Sequence, residues 1–380
     1  MLLLAQSIAL VVLIRRLLSG RTRRPPVLPM ADDGPPRVSV LLPTFNEVQR
    51  VQPCLEGLMK QGSTVHEILV VDGNSGDGTD QLVYGVGARD GRIRLIYEPQ
   101  LPNGWIGKVW ALQHGLEQAS SEWILTVDAD IEPRPGIVAA AVHAANELNL
   151  QAVSFSPLFA GQTAAEQWLQ SALLLTLVYR GGAVGRDGTA PAHRVMANGQ
   201  CFLIRRDVLV AHGGYAAARS SFCDDVTLAR HLARHGVRVG FLDGSRLFSV
   251  RSYESLGEMW REWGRSIDLK DATTPLRLAA DVALLALVQG APIFVLALFA
   301  ADVWELRGST RWLLVAVNAV LILMRVAMLG ALAGSYDRRF WSYWLSPFAD
   351  PVAVLRIVLS ALRRPTQWRG RSYPRMTGST

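Results

Sequence analysis

The sequence predicts an α/β fold, a mostly parallel sheet domain joined to α-helical transmembrane segments, and three observations point to it. Between residues 37 and 271, apolar β-branched runs at 38–42, 67–71, 93–97 and 123–127 alternate with amphipathic stretches, as in a parallel sheet wrapped by helices. Half of the residues are hydrophobic, yet 19% are charged, so a water-exposed domain and an apolar portion coexist. Finally, residues 282–301 carry no charge over the length needed to cross a hydrocarbon core, and residues 312–334 are similar but contain Arg325.

Taken in chain order, 380 residues suffice for one sizeable α/β core plus membrane segments. Residues 1–14 are apolar except for Gln6 and Ser7, and basic residues follow directly. A cleaved leader needs positive charge before the apolar run and a small-residue cleavage site after it; neither is visible, so 1–20 reads as an uncleaved anchor whose basic flank keeps the next domain in the cytoplasm. Residues 21–36, with prolines from Pro25 to Pro36 and Asp32, Asp33 and Gly34, read as a linker. The sheet domain is expected over 37–271, membrane segments over 272–362 and a basic cytoplasmic tail over 363–380. An arginine at the depth of Arg325 is costly unless it faces protein, a lipid phosphate or water, and the plain alternative is snorkelling. Residues 341–362 are apolar but interrupted by Pro347, Asp350 and Pro351; a crossing there puts the arginine-rich tail outside, so a re-entrant or interfacial hairpin is expected.

The 39 Lys and Arg outnumber the 32 Asp and Glu. Their clusters, Arg15, Arg16, Arg21, Arg23 and Arg24 after the first apolar run and Arg363, Arg364, Arg369, Arg371 and Arg375 after the last, are juxtamembrane, which favours lipid headgroups over nucleic acid. Cys54, Cys201 and Cys223 are odd in number and far apart, suggesting neither a disulfide framework nor a zinc site.

Several segments carry chemistry. Residues 38–47 form a buried strand ending in the turn Pro43-Thr44-Phe45-Asn46-Glu47, whose Thr44, Asn46 and Glu47 offer side chains to a nucleotide; alone, such a turn is merely a strand end. Residues 68–79 place Asp72 at a strand terminus before a loop with three glycines and Asp77, an arrangement able to receive a base edge; a calcium-like loop or ordinary turn is the alternative, though EF-hand spacing is missing. Asp128-Ala129-Asp130 closes the run 123–127, and two carboxylates so spaced can hold a hard cation bridging a diphosphate. Lys108, at a helix start behind Gly104 and Gly107, is able to contact donor phosphate, or is a solvated lysine on a capped helix. Adjacent Asp224 and Asp225 repel, which lifts one of them toward the range useful for accepting a hydroxyl proton; they also suit a helix cap. The apolar stretch 164–179 reads either as a core helix or as an interfacial helix guiding a lipid.

The order and spacing of the 38–47, 68–79 and 128–130 segments resemble the inverting family-2 glycosyltransferases of GT-A fold over residues 37–271. The run Pro102-Asn-Gly-Trp-Ile-Gly-Lys108 is similar to the branch acting on carotenoids, hopanoids and ceramide. The resemblance implies nucleotide-sugar binding by Pro43, Thr44, Asn46, Glu47, Asp72, Asp77, Lys108, Asp128 and Arg265. It implies a divalent metal, Mg2+ or Mn2+, with Asp130 the direct ligand and Asp128 beside it, acceptor contacts from Asn198 and Gly199, and Asp225 as catalytic base beside Asp224, which replaces the usual glutamate. The partners implied are a nucleoside-diphosphate sugar donor, a lipid acceptor, with a hydroxylated carotenoid the best fit, and a membrane of bacterial inner or thylakoid type; nucleic acid is not among them. Residues 260–266 depart from the Gln-x-x-Arg-Trp motif of processive synthases, with Glu262 and Ser266 in place of glutamine and tryptophan, which implies one transfer per acceptor. Ceramide or hopanoid transfer, a polysaccharide or undecaprenyl-phosphate sugar transferase, and a non-catalytic nucleotide-binding membrane protein are the alternatives.

Overall fold

The computed structural model describes the chain except residues 33, 35–36, 252, 254, 264–266, 268, 305–307, 364–366, 369–370 and 374–380. Arg265, Ser266, Arg364, Arg369 and Arg375, singled out from the sequence, lie outside the described residues. The chain forms two compact units, one of residues 1–23, 160–186 and 253–364, the other of residues 24–159, 187–252 and 365–380.

The second unit is built on strands β1 (Val38–Thr44), β2 (Val65–Asp72), β3 (Ile93–Tyr97), β4 (Trp123–Val127), β5 (Ile131–Pro133), β6 (Ala152–Ser156), β7 (Leu158–Phe159), β8 (Cys201–Arg205), β9 (Val239–Asp243) and β10 (Phe248–Val250). Seven of these make one sheet in the order β3-β2-β1-β4-β8-β6-β9, and β5, β10 and β7 make a small second one. All neighbours in the large sheet run parallel except β8, which is antiparallel to both β4 and β6. The sheet is therefore mixed, with the parallel pairings in the majority.

The four runs read as strands all sit in this sheet, because continuous apolar burial on both faces suits its centre: β1, β2 and β4 are almost wholly buried. Helix Gly107–Gln118 lays Val109, Leu112 and Leu116 against Leu41, Leu69 and Ile124, and helix Asp224–Arg234 adds Leu228 and Leu232 to the same core. Each such side chain contributes about 1.5–3 kcal/mol when removed from water. Gly115 permits the close approach, since a Cβ there would lie 3.0 Å from Val71 Cγ2 and 3.2 Å from Leu41 Cδ2.

Residues 24–32, part of the expected 21–36 linker, belong to this unit. Val27 donates its amide to the Asp243 carbonyl, Met30 donates to the Gly136 carbonyl, and the Asp32 carboxylate accepts from the Thr64 amide. The stretch contains no helix, yet its backbone is pinned along the unit; a polar composition with proline excludes helix without excluding hydrogen bonding.

The first unit is helical. Three of its stretches are long and apolar enough to cross a membrane: Leu2–Thr22, Pro275–Ala300 and Ser309–Ser335. The middle one shifts to a π-turn at Ala286–Gly290 just before Pro292, whose missing N–H the turn accommodates. Helix Ala164–Gly181 opens on a capping box formed by Thr163 and Glu166 and buries Leu169, Leu173, Leu175 and Tyr179 in this unit's core. Residues 341–362 break into helix Trp341–Trp344, a 3-10 turn Ser346–Ala349 and helix Asp350–Leu362, as Pro347 and Pro351 dictate. Arg325 is 2% exposed and faces protein: its Nε donates to Asp350 at 2.7 Å, Nη2 donates to Ser346 Oγ, and Gln289 donates to the same Asp350. A second buried polar pair joins the Gln6 and Asn318 amides at 2.9 Å in both directions.

Candidate active site

The carboxyl ends of β1, β2 and β4 meet at one rim of the sheet, where ligands of such folds bind. The turns after β1 and β2 are stitched together by their own side chains. Asn46, with φ at 55°, accepts the Gly76 amide on Oδ1 and donates its own amide to Ser75 Oγ. Asp77 accepts from the Val48 and Thr79 amides and from Thr79 Oγ1, which hold its carboxyl below the usual range against the opposing effect of burial. Asp72 is fully buried and accepts from Thr44 Oγ1, Ser75 Oγ and the Ser75 amide.

Behind these turns a cleft opens to solvent; Pro43, Thr44, Phe45, Glu47, Gly73, Glu98, Gly107, Lys108 and Asp128 are among the residues that line it. Of the side chains expected to contact the nucleotide, Pro43, Thr44, Glu47, Lys108 and Asp128 face the cleft. Asn46, Asp72 and Asp77 are not among its lining residues: turn amides and hydroxyls engage their oxygens, so they shape the rim.

Lys108 is the electrostatic centre. Its Nζ lies 2.7 Å from Asp128 Oδ1 and 3.0 Å from Oδ2. Burial alone pulls an ammonium down, but the carboxylates of Asp128, Asp224 and Asp225 outweigh it and hold Lys108 well above its ordinary value. Asp224 and Asp225 open helix Asp224–Arg234. Asp225 accepts from the Gly199 amide at 2.8 Å and from the Val226 amide at 2.7 Å. Burial pushes Asp224 up to about 7, against the pull of Lys108 and with the help of Asp225 and Asp128; Asp225 is raised as well, chiefly by burial.

The loop before β8 connects the acids. Asn198 exchanges hydrogen bonds with Ser154 Oγ through its backbone, Gly199 holds Asp225, and Gln200 Nε2 lies 3.4–3.5 Å from the Asp130 carboxylate. A Cβ at position 199 would lie 3.1 Å from Lys108 Nζ, so glycine lets the ammonium sit close to this loop. Burial, then the Asp128 charge, push Asp130 up to about 6. Two half-buried carboxylates, one of them so disfavoured as an anion, suit a hard cation that takes its remaining ligands from phosphate oxygens. Among the described residues no group of three His, Cys, Asp or Glu forms a closed metal cage.

Four participants carry no signal in the sequence: Glu98 just past β3, Gln200, and Arg371 and Tyr373 from the C-terminal segment. Arg371, read as part of a lipid-facing cluster, instead reaches the cleft, where Nη2 donates to Glu98 Oε1 at 2.6 Å and its guanidinium lies 4.1 Å from the Phe45 ring centroid. The Tyr373 hydroxyl accepts the Gly107 amide at 3.2 Å. A basic tail predicts attraction to anions without saying which; for Arg371 the anion is a buried carboxylate of the same unit and not a lipid headgroup. The three cysteines are buried and free.

Residues 39–213 match the family model described as Glycosyl transferase family 2. The chain carries a glycosyltransferase family 2 domain. Over 112 residues the chain is 31% identical to the GalNAc(5)-diNAcBac-PP-undecaprenol beta-1,3-glucosyltransferase of Campylobacter jejuni subsp. jejuni serotype O:2, covering 30% of this chain and 35% of that protein. Over 95 residues the chain is 32% identical to the 4,4'-diaponeurosporenoate glycosyltransferase of Staphylococcus haemolyticus, covering 25% of this chain and 24% of that protein. The matched stretches thus span about a third or less of these relatives' own length. In three dimensions the chain is similar to the mannosyltransferase of Pyrobaculum calidifontis solved with GDP-Man and Mn2+, with a TM-score of 0.56 and 19% identity over 94% of this chain and 99% of that one. That likeness establishes a GT-A-like mixed α/β fold.

Proposed function

We propose that this chain is an inverting glycosyltransferase that moves a sugar from a nucleoside-diphosphate donor to a hydroxyl of a membrane lipid, a hydroxylated carotenoid being the acceptor class its motifs fit best. The observation that carries this reading is the grouping of Asp128, Asp224 and Asp225 around Lys108 beside a cleft lined by the turns after β1 and β2. One end of this group offers a cation to a diphosphate and the other offers a base to a hydroxyl.

In the proposed reaction the acceptor hydroxyl gives its proton to Asp225, its oxygen bonds to the anomeric carbon, and the bond from that carbon to the diphosphate breaks with inversion. The Gly199 and Val226 amides hold the Asp225 carboxylate in place, and Asp224 titrates with it as a neighbouring acid. Lys108 meets the negative charge that gathers on the leaving diphosphate. Asp130 and Asp128 would hold the Mg2+ or Mn2+ ion, which supplies further neutralisation of that charge when bound. Asn198 and Gly199 flank the acceptor, and Asn46, Asp72 and Asp77 keep the donor rim in shape.

The three long apolar helices support a membrane location, with the glycosyltransferase domain on the cytoplasmic side where nucleotide sugars are made. Similarity to a protein named for diaponeurosporenoate favours a carotenoid-like acceptor, and similarity to one named for an undecaprenol-linked glycan favours a polyprenyl-linked acceptor as the second reading. Ceramide and hopanoid acceptors complete the set. Membranes containing the protein, incubated with a panel of labelled nucleotide sugars, are expected to yield one labelled lipid. A labelled pigment supports the first reading, a labelled polyprenyl-linked glycan supports the second, and labelling of no lipid by any donor contradicts both.

A further inference from the structure

Arg371 marks a slot in the cleft that has the chemistry of a particular ligand. Its guanidinium, a flat group, lies 4.1 Å from the Phe45 ring centroid. From there Nη2 donates to the Gly73 carbonyl and to Glu98 Oε1. Glu98 is 5% exposed, and among the described residues its second oxygen, Oε2, is buried without a hydrogen-bond donor. Bare backbone at Gly73 and Gly107 makes room for the flat group, since a Cβ at either would lie within 2.7 Å of a guanidinium nitrogen. The slot therefore consists of an aromatic face with three acceptors at its edge, two carboxylate oxygens and one carbonyl, and the side chain in it serves only part of that set.

We infer that this slot reads a guanine base, so that the donor is a guanosine-diphosphate sugar, and that Arg371 yields the slot when the donor enters. The inference rests on the glycosyltransferase reading and deepens it. Of the common bases, guanine alone presents three N–H donors on two nitrogens joined through one carbon, one on N1 and two on N2, matching the three acceptors while its ring stacks on Phe45. Its N1–C2–N2 edge is itself a guanidine, the group Arg371 places there. Uracil offers one N–H between two carbonyl oxygens, which would face the Glu98 carboxylate. Adenine and cytosine offer one amino group beside a ring nitrogen with no hydrogen. An acceptor-only site rejects all three because oxygens are left unpaired or set against like charge. Arg371 neutralises the buried carboxylate in the donor-free protein, and its exchange for guanine leaves Glu98 with a partner in both states.

Calorimetric binding to the full-length protein in lipid nanodiscs, with GDP, IDP, UDP and ADP at fixed Mg2+, tests this. IDP keeps the guanine frame and lacks only the N2 amino group. GDP is expected to bind at least about 10-fold more tightly than IDP and about 100-fold more tightly than UDP or ADP, the range set by one good bidentate pair and its loss. In Glu98→Gln the GDP-to-IDP ratio should fall toward one, and in Arg371→Ala GDP should bind more tightly at an unchanged ratio. Equal affinity for GDP and IDP in the unaltered protein overturns the guanine assignment, as does a preference for UDP, which leaves the glycosyltransferase reading standing. Weaker GDP binding in Arg371→Ala overturns the shared slot. Binding of none of the four overturns the inference and the donor reading together.

Discussion

Asp224 and Asp225 sit within reach of one Lys108, and their elevation has consequences for pH dependence. A base must be ionised to accept a proton, so kcat/KM should rise with pH along an acidic limb displaced above the ordinary carboxylate range, the direction in which burial moves Asp225. A profile already flat at pH 5 contradicts this. Asp130 bears on stability instead. Its folded value is about 6 against an ordinary 3.8, so between those values the folded state binds more protons and stability falls as pH rises through the window, remaining lower above it. Asp130→Asn removes that penalty and should raise stability at pH 8 in the presence of chelator, by on the order of 1 kcal/mol after solvent screening and read as a higher Tm, with the gain fading by pH 4. An equal gain at both pH values assigns the effect to packing. Arg325 and Asp350 give a third case at this scale: breaking their buried pair with Arg325→Leu should cost about 3–5 kcal/mol, while Arg325→Leu with Asp350→Leu should recover most of it, as thermal unfolding in detergent would report.

Helix Gly107–Gln118 joins fold and chemistry, since Lys108 stands at its start and Gly115 lies against β1 and β2 near its end. Gly115→Ala should destabilise by about 1–3 kcal/mol through overpacking against Val71 and Leu41, despite the gain in helix propensity. A stabilised variant, measured by denaturant midpoint, would mean that these side chains move aside freely. Elements of this kind are legible in the sequence because period and punctuation agree in them. β1, β2, β3 and β4 are apolar runs ending at Thr44, Asp72, Tyr97 and Val127, and helix Asp224–Arg234 opens on its acids. β6 and β9 do not stand out, because Ala-Val-Ser-Phe-Ser and Val-Gly-Phe-Leu-Asp are short and mix small or polar residues with apolar ones. The antiparallel course of β8 carries no local signature, since direction within a sheet is a long-range property.

For the molecule as a whole, the division into units follows packing rather than sequence order. Residues 160–186 and 253–271, expected within the sheet domain, group with the apolar helices, and the chain's last described residues group with the sheet. The acids of the site are visible in the sequence because each closes a strand or opens a helix. Glu98 and Arg371 are not, because they lie 273 positions apart and only the fold makes them a pair. The same holds for Gln200 and Asp130, brought together by β8 lying beside β4.

Whether the acids around Lys108 form one sugar-transferring centre is tested most directly by comparing the unaltered protein with Asp225→Asn, side by side, for donor affinity and for single-turnover transfer to lipid. Loss of a positioned base predicts a rate lower by about 10²–10⁴-fold with donor affinity nearly unchanged. Transfer at the same rate in Asp225→Asn would contradict it.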